Sequence, residues 1–190
     1  MTDHPSASGT QILIRPIADG DSIIELTDLL HRSYKRLADM GFRFFASHQT
    51  PQQTLERISN GECFVGVNDG ALVATITFYP EPHNDGPLWY QRSDVGTFGQ
   101  FAVEPGLQGS GIGRRLMDHI EAMARRRGLA EMACDTAEGA AHLIAYYSRR
   151  GYRFIEHTQW DVTNYRSVVM SKTLIPQPED GQQQPDSFLR

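Results

Sequence analysis

The segment Gln108-Gly109-Ser110-Gly111-Ile112-Gly113-Arg114 sets three glycines at alternate positions directly before an amphipathic run. A helix N-terminus presents unpaired backbone N–H groups and a partial positive charge, which together attract phosphate. Glycines at 109, 111 and 113 remove the side chains that would block a close approach, and they allow successive N–H groups to turn inward as a nest. Two common phosphate loops do not fit. A Walker loop requires Gly-Lys-Ser/Thr at the helix start, where this chain has Gly113-Arg114-Arg115. A dinucleotide fingerprint requires a glycine three places after the second one, and Arg114 stands there.

The elements around the loop follow from periodicity and breakers. "QILIRPI" predicts a first strand, and Ile23, Leu26, Leu30, Tyr34 and Leu37 recur at helical spacing behind Asp19 or Asp21 as cap, ending at Gly41. Thr50, Pro51 and Gln53 form a helix-start signature, and Gly61 stops that helix. "CFVGV" and "ALVATITFY" flank Asn68-Asp69-Gly70, which predicts a hairpin. Residues 80–94 are Pro-rich and aperiodic, a candidate substrate wall. A strand over about Val95 to Val103 feeds the loop, and Leu116, Met117, Ile120, Met123 and Ala124 mark the helix after it. "LAEMACDT" reads as a buried strand, "AAHLIAYYSRR" as a helix, and two strands near Tyr152 to His157 and Ser167 to Leu174 close the domain. The order predicts an α/β (α+β) fold with a single mixed, mostly antiparallel sheet flanked by helices.

Composition narrows the class. The chain has 190 residues with 39% hydrophobic and 22% charged content, enough for a single core without staples. We read residues 1–10 as a flexible arm, 11–175 as the folded domain and the Pro/Gln-rich 176–190 as a disordered tail. The net charge of −5 offers no basic patch for DNA or RNA. No apolar run of membrane-spanning length and no signal-like N-terminus occurs, so the expected location is the cytoplasm. Cys63 and Cys134 sit in apolar segments as buried thiols, neither in a motif that marks a nucleophile. The seven histidines show no paired ligand spacing, so no metal is expected.

With Phe101-Ala102-Val103-Glu104-Pro105 in front, the glycine segment resembles the Arg/Gln-x-x-Gly-x-Gly/Ala signature of GCN5-related N-acetyltransferases (GNAT), filled by Gln108, Gly111 and Gly113. "AYYSRRGYRF" resembles the family's second signature, with Tyr147 four before Gly151 and Tyr152 closing it. The resemblance covers about Gln11 to Leu174. It implies that Gln108, Gly109, Ser110, Gly111, Ile112, Gly113 and Arg114 hold the pyrophosphate of acetyl-CoA, the co-substrate. It further implies that the strand at Phe101 to Val103 pairs with the pantetheine arm, the Val103 N–H donating to the thioester carbonyl. Tyr147 is then the general acid for the departing thiolate. At the position where the family often carries a pantetheine-binding Asn, this chain has Ala140.

An alkyl ammonium must lose a proton before it attacks, and the base stays open among Glu104, Asp94, His83, His157 and Asp135. The expected acceptor is a small-molecule primary amine, with Trp89, Tyr90, Phe44, Phe45 and Trp160 as pocket aromatics. The alternative is a non-catalytic acyl-CoA-binding or regulatory module, against which Tyr147 speaks. The resemblance allows a homodimer.

Overall fold

In the computed structural model, which describes residues 12–174, seven strands form one sheet in the order β1-β2-β3-β4-β5-β7-β6. The strands are β1 Leu13–Pro16, β2 Glu62–Asn68, β3 Ala71–Tyr79, β4 Val95–Val103, β5 Glu131–Ala137, β6 Arg153–Gln159 and β7 Arg166–Thr173. The helices are α1 Ile23–Asp39, α2 Pro51–Ser59, α3 Ile112–Arg126 and α4 Ala141–Arg149. Only β4 and β5 pair in parallel, so the sheet is mixed and mostly antiparallel, as its element order predicts. The expected terminal arm and tail lie outside the described residues.

Local chemistry accounts for the element boundaries. Thr50 and Gln53 make the reciprocal capping box that their spacing predicts, with Pro51 at the first helical position. The cap of α1 is Ser22, whose side chain accepts the Glu25 N–H, rather than either aspartate. Asp21 instead takes both arms of the Arg15 fork, at 2.6 and 2.8 Å, and its carboxyl is held below the usual range by that hydrogen bonding. The β2–β3 hairpin closes through Asp69 (φ 47°) and Gly70 (φ 84°), the pair of positive φ angles that a tight two-residue turn demands. Leu88–Gln91 forms a short 3₁₀ turn within the aperiodic loop.

Two cores lie on the two faces of the sheet. Phe64, Ile76, Phe78 and Met132 pack with Leu116, Met117 and Ile120 of α3 and Tyr147 of α4. Cys63 and Val65, which flank Phe64 on β2, pack with Leu26 and Leu29 of α1 and Ile58 of α2. The alternation of a pleated strand thus assigns one helix pair to each face.

What positions the site is a failure of pairing. β4 and β5 share only the register Val95↔Glu131, Gly96↔Met132 and Thr97↔Ala133, after which they part. On its other edge β4 carries a bulge: Thr77 faces Gly99 and Thr75 faces Ala102, so Gln100 and Phe101 share one partner position. Gln100 has φ 49° and is 2% exposed, a strained non-glycine residue. Its side chain is fastened by Gln49, whose Nε2 donates to Gln100 Oε1 at 2.8 Å and to Thr54 Oγ1 at 2.6 Å.

Candidate active site

The parting of β4 and β5 opens a cleft of about 1540 Å³ that reaches from the glycine loop at one end to Asp135 and His83 at the other. Gly109 (φ 84°) and Gly111 (φ 89°) both stand in the left-handed region, where an L side chain is strained. Gly111 is the N-cap of α3 and supplies no side-chain acceptor, so the N–H groups of Ile112, Gly113 and Arg114 point outward without an intrahelical partner. Gly113 has a different role: a Cβ there would stand 3.1 Å from the Phe101 ring, so glycine allows α3 to approach β4 closely.

The other loop residues fall into place around this turn. Gln108 lines the cleft and donates from Nε2 to Val103 O at 3.2 Å, tying loop to strand. The Ser110 hydroxyl and N–H both turn back to Leu107 O, at 2.6 and 3.3 Å, so Ser110 has no free donor for the cleft. The Ile112 side chain is buried in the α3 core, so Ile112 can offer only backbone. Arg114 is exposed at the rim. Gln108, Gly109, Gly111, Gly113, Arg114, Phe101 and Val103 all line the same cavity.

Along β4 the backbone polarity is arranged for a ligand. Glu104 N–H bonds back to Val73 O at 2.8 Å, so the alternation of an antiparallel pair turns the Val103 N–H away from β3, toward the opening. The carbonyls on that side are already satisfied from α1: Ser33 Oγ donates to Val103 O at 3.0 Å and Tyr34 Oη to Phe101 O at 3.1 Å. Thr136 Oγ1 and Tyr146 Oη, also at the cleft, are buried without a hydrogen-bond partner. Outward strand donors, an uncapped helix N-terminus and these two orphaned hydroxyls fit the polar arm and phosphates of a coenzyme A thioester.

Of the adjacent tyrosines, Tyr147 is the core-facing one and Tyr146 is half-buried, although both line the cleft. The Tyr147 ring sits among Phe98, Tyr146 and Tyr152, with centroids 6.0, 5.3 and 5.8 Å away. Burial lifts its phenol well above the ordinary range, which keeps the proton on the oxygen. Ala140 is buried at the start of α4 with no capping side chain.

Among the five acid–base candidates, the structure brings only His83 and Asp135 into the cleft. Glu104 pairs with Arg32 at 2.8 Å, Asp94 with Arg92 at 2.7 Å and His157 with Glu138 at 3.1 Å, all on the surface. Asp135, two residues past the last β4–β5 pair, accepts from Trp160 Nε1 at 2.9 Å and Tyr90 Oη at 3.3 Å. Enclosure by protein raises its pKa despite those donors. His83 Nε2 lies 2.7 Å from Thr97 Oγ1, and burial lowers its pKa, against the pull of Asp135. Tyr90, Phe44, Phe45 and Trp160 line the cleft as expected. Trp89 does not, although it packs in the same cluster as Tyr90 and Trp160, with Arg92 4.1 Å over its ring. Ser33, Tyr34, Arg57 and Thr136 are cleft residues that no motif marked, because periodicity assigns them only to a helix or strand.

The family model described as the acetyltransferase (GNAT) family matches residues 24–152, which contain the glycine loop, the bulged strand and Tyr147. The chain belongs to the GNAT family. This GNAT chain is 30% identical over 142 residues to the S-(2-succino)cysteine N-acetyltransferase of Bacillus subtilis, covering 70% of itself and 78% of that protein. It is 26% identical over 172 residues to the S-alkylcysteine N-acetyltransferase of the same organism, covering 85% and 89%. In fold it is similar to the ribosomal-protein-S18-alanine N-acetyltransferase of Escherichia coli, with TM-score 0.66 and 16% identity over 90% of this chain and 99% of that one. It is also similar to a GNAT acetyltransferase of Elizabethkingia anophelis with acetyl-CoA bound, with TM-score 0.60 and 15% identity over 86% and 98%. As a GNAT member with these relatives, it is an acetyl-CoA-dependent N-acetyltransferase. Among the described residues, no helix is long and apolar enough to cross a membrane.

Proposed function

We propose that this enzyme acetylates the primary amine of a small molecule by direct attack on acetyl-CoA. The observation that carries the reading is the single cleft that joins the glycine loop to the enclosed Asp135–His83 end through the gap between β4 and β5. Both curated relatives are named for S-substituted cysteines, which are small amines.

In this reading the N–H groups of Gly109, Gly111, Ile112, Gly113 and Arg114 receive the pyrophosphate, with the Arg114 side chain at the rim as a phosphate-facing cation, while the Ser110 N–H stays on Leu107 O. The N–H groups of Phe101 and Val103 serve the pantetheine arm and the thioester carbonyl. A donor fixed on a strand stabilises the carbonyl oxygen as it gains negative charge, without reorganisation at that moment. The side-chain bonds from Ser33 and Tyr34 hold that strand, and the Gln49–Gln100 pair holds its bulge. Thr136 and Tyr146, both at the cleft, offer hydroxyls to the arm, and Ala140 brings it no polar side chain.

At the acceptor end Asp135 receives the ammonium, and Asp135 with His83 takes the proton that must leave before nitrogen can attack. The new N–C bond forms as the C–S bond breaks. Tyr147 gives its proton to the sulfur and recovers one from the acylated nitrogen by way of cleft water.

Calorimetric titration with CoA and acetyl-CoA, followed by thiol release against a panel of amines, tests this. The expected result is binding of both ligands and release that depends on a small amine. No binding would sink the loop assignment, and release only with a protein acceptor would sink the small-molecule reading.

A further inference from the structure

The acceptor end of the cleft holds two opposite charges that the protein leaves unpaired. Arg57 of α2 is half-buried and lines the cleft. Its Nη1 donates to Gln49 Oε1 at 2.6 Å, and its guanidinium carbon is 5.5 Å from the centre of the Phe45 ring. A Cβ added to Gly99 would lie 3.3 Å from Nη2, so the fork rests against the β4 backbone next to the bulge. Three other described arginines are half-buried, and each has a carboxylate within reach: Arg15 at 2.6 Å, Arg125 at 3.9 Å and Arg150 at 2.7 Å. Arg57 has none among the described residues.

Asp135 is its counterpart. Its nearest hydrogen-bond donors are a phenol and an indole, the Ser167 hydroxyl also acts on it, and no lysine or arginine among the described residues forms an ion pair with it. Arg57 is near enough to act on it electrostatically and partly offsets the effect of enclosure. A charge withdrawn from water needs a partner, and here the protein withholds one from each. The two charges face one cavity, which can therefore accept a molecule that carries both signs.

We infer that the acceptor is a free amino acid in its zwitterionic form, its carboxylate received by Arg57 and its ammonium by Asp135. This rests on the small-amine reading above and sharpens it. A guanidinium offers a planar fork that matches a carboxylate, and Gln49 uses only one of its arms. A polyamine would bring a second cation toward Arg57, and a protein lysine side chain carries no carboxylate beside its amine. Phe44, Phe45, Trp160 and Tyr165 wall the same cavity and give the amino acid's side chain an apolar surface.

The test compares a panel of amino acids, S-substituted cysteines among them, with their carboxamides and their decarboxylated amines. kcat/KM is read by thiol release from acetyl-CoA. For the wild-type enzyme the free amino acid should exceed both analogues by about 10- to 100-fold, with the carboxamide separating charge from size. In Arg57→Gln this ratio should collapse to within about threefold of one, and Arg57→Lys should keep part of it. If Arg57→Gln does not fold, the wild-type comparison alone decides. Amines acetylated as well as their parent amino acids would overturn the carboxylate site and leave the small-amine reading standing. Acetylation of neither would overturn both, and an Arg57→Gln variant that slows amino acid and amine equally would overturn the assignment of Arg57.

Discussion

Glu121 and Asp135 are two acids enclosed by protein, and the molecule treats them in opposite ways. Glu121, 2% exposed on α3, receives Arg150 Nη2 at 3.0 Å, Tyr152 Oη at 3.2 Å and Lys172 Nζ, with Arg125 at 3.9 Å. That network ties α3 to the end of α4 and to β7. Asp135 has only neutral donors, no ion pair among the described residues and an open cavity in front of it. An acid with cations already around it is structural. One held in the protein without them is the acid proposed above to meet the acceptor.

The largest expected effect tests the structural half. Glu121→Ala leaves Arg150 and Lys172 without their shared partner, and removing one member of a buried ionic cluster costs about 3–5 kcal/mol. Urea unfolding should report that loss, with a fall in Tm of roughly 6–20 °C. A loss near zero would mean that the cluster is solvated and the contrast with Asp135 empty.

Next come two variants that should damage activity and spare the fold. Tyr147→Phe removes a proton and little volume, so kcat should fall by about 10²-fold or more while the Kd for CoA stays within about twofold. An unchanged kcat would remove Tyr147 as the acid. Asp135→Asn keeps the shape and loses the charge. The expected loss in kcat/KM for the amine is about 10- to 100-fold, with the folded state intact by circular dichroism. Equal activity would move the acceptor's ammonium elsewhere.

The smallest effect is a pH dependence. Enclosure raises the Asp135 pKa, so the folded state binds that proton more tightly than the unfolded chain does. The associated stability is fully present below the unfolded value, about 4, and is lost as pH rises through the folded value. The difference in Tm, wild type minus Asp135→Asn, should therefore fall as pH rises above about 4. A flat difference would show that solvent reaches the carboxylate freely.

Particular residues show how much could be read before folding. The Thr50–Gln53 box, the Asp69–Gly70 turn and the bounds of β4 were legible because each depends on backbone chemistry within a few residues. The α1 cap was legible only to within three residues, since Asp19, Asp21 and Ser22 are all competent and Arg15, contributed by β1, claims Asp21. The glycine loop could be found because the features proposed to bind phosphate, positive φ and free N–H groups at a helix start, belong to the local backbone. The proposed acceptor end could be named only residue by residue and not as one site, because its residues come from α2, the 80–94 loop, β5 and the segment after β6.

The sequence by itself determined the helices, the strands, the glycine turn and the family signatures, since propensity, capping and positive φ act over a few neighbouring residues. Only the tertiary structure decided which two of the five acid–base candidates face the cleft, and that Arg57 alone among the half-buried arginines described lacks a carboxylate. Electrostatic pairing depends on distance in space. Two charges 78 positions apart in the chain, Arg57 and Asp135, share one cavity only after β4 and β5 have paired for three residues and then separated.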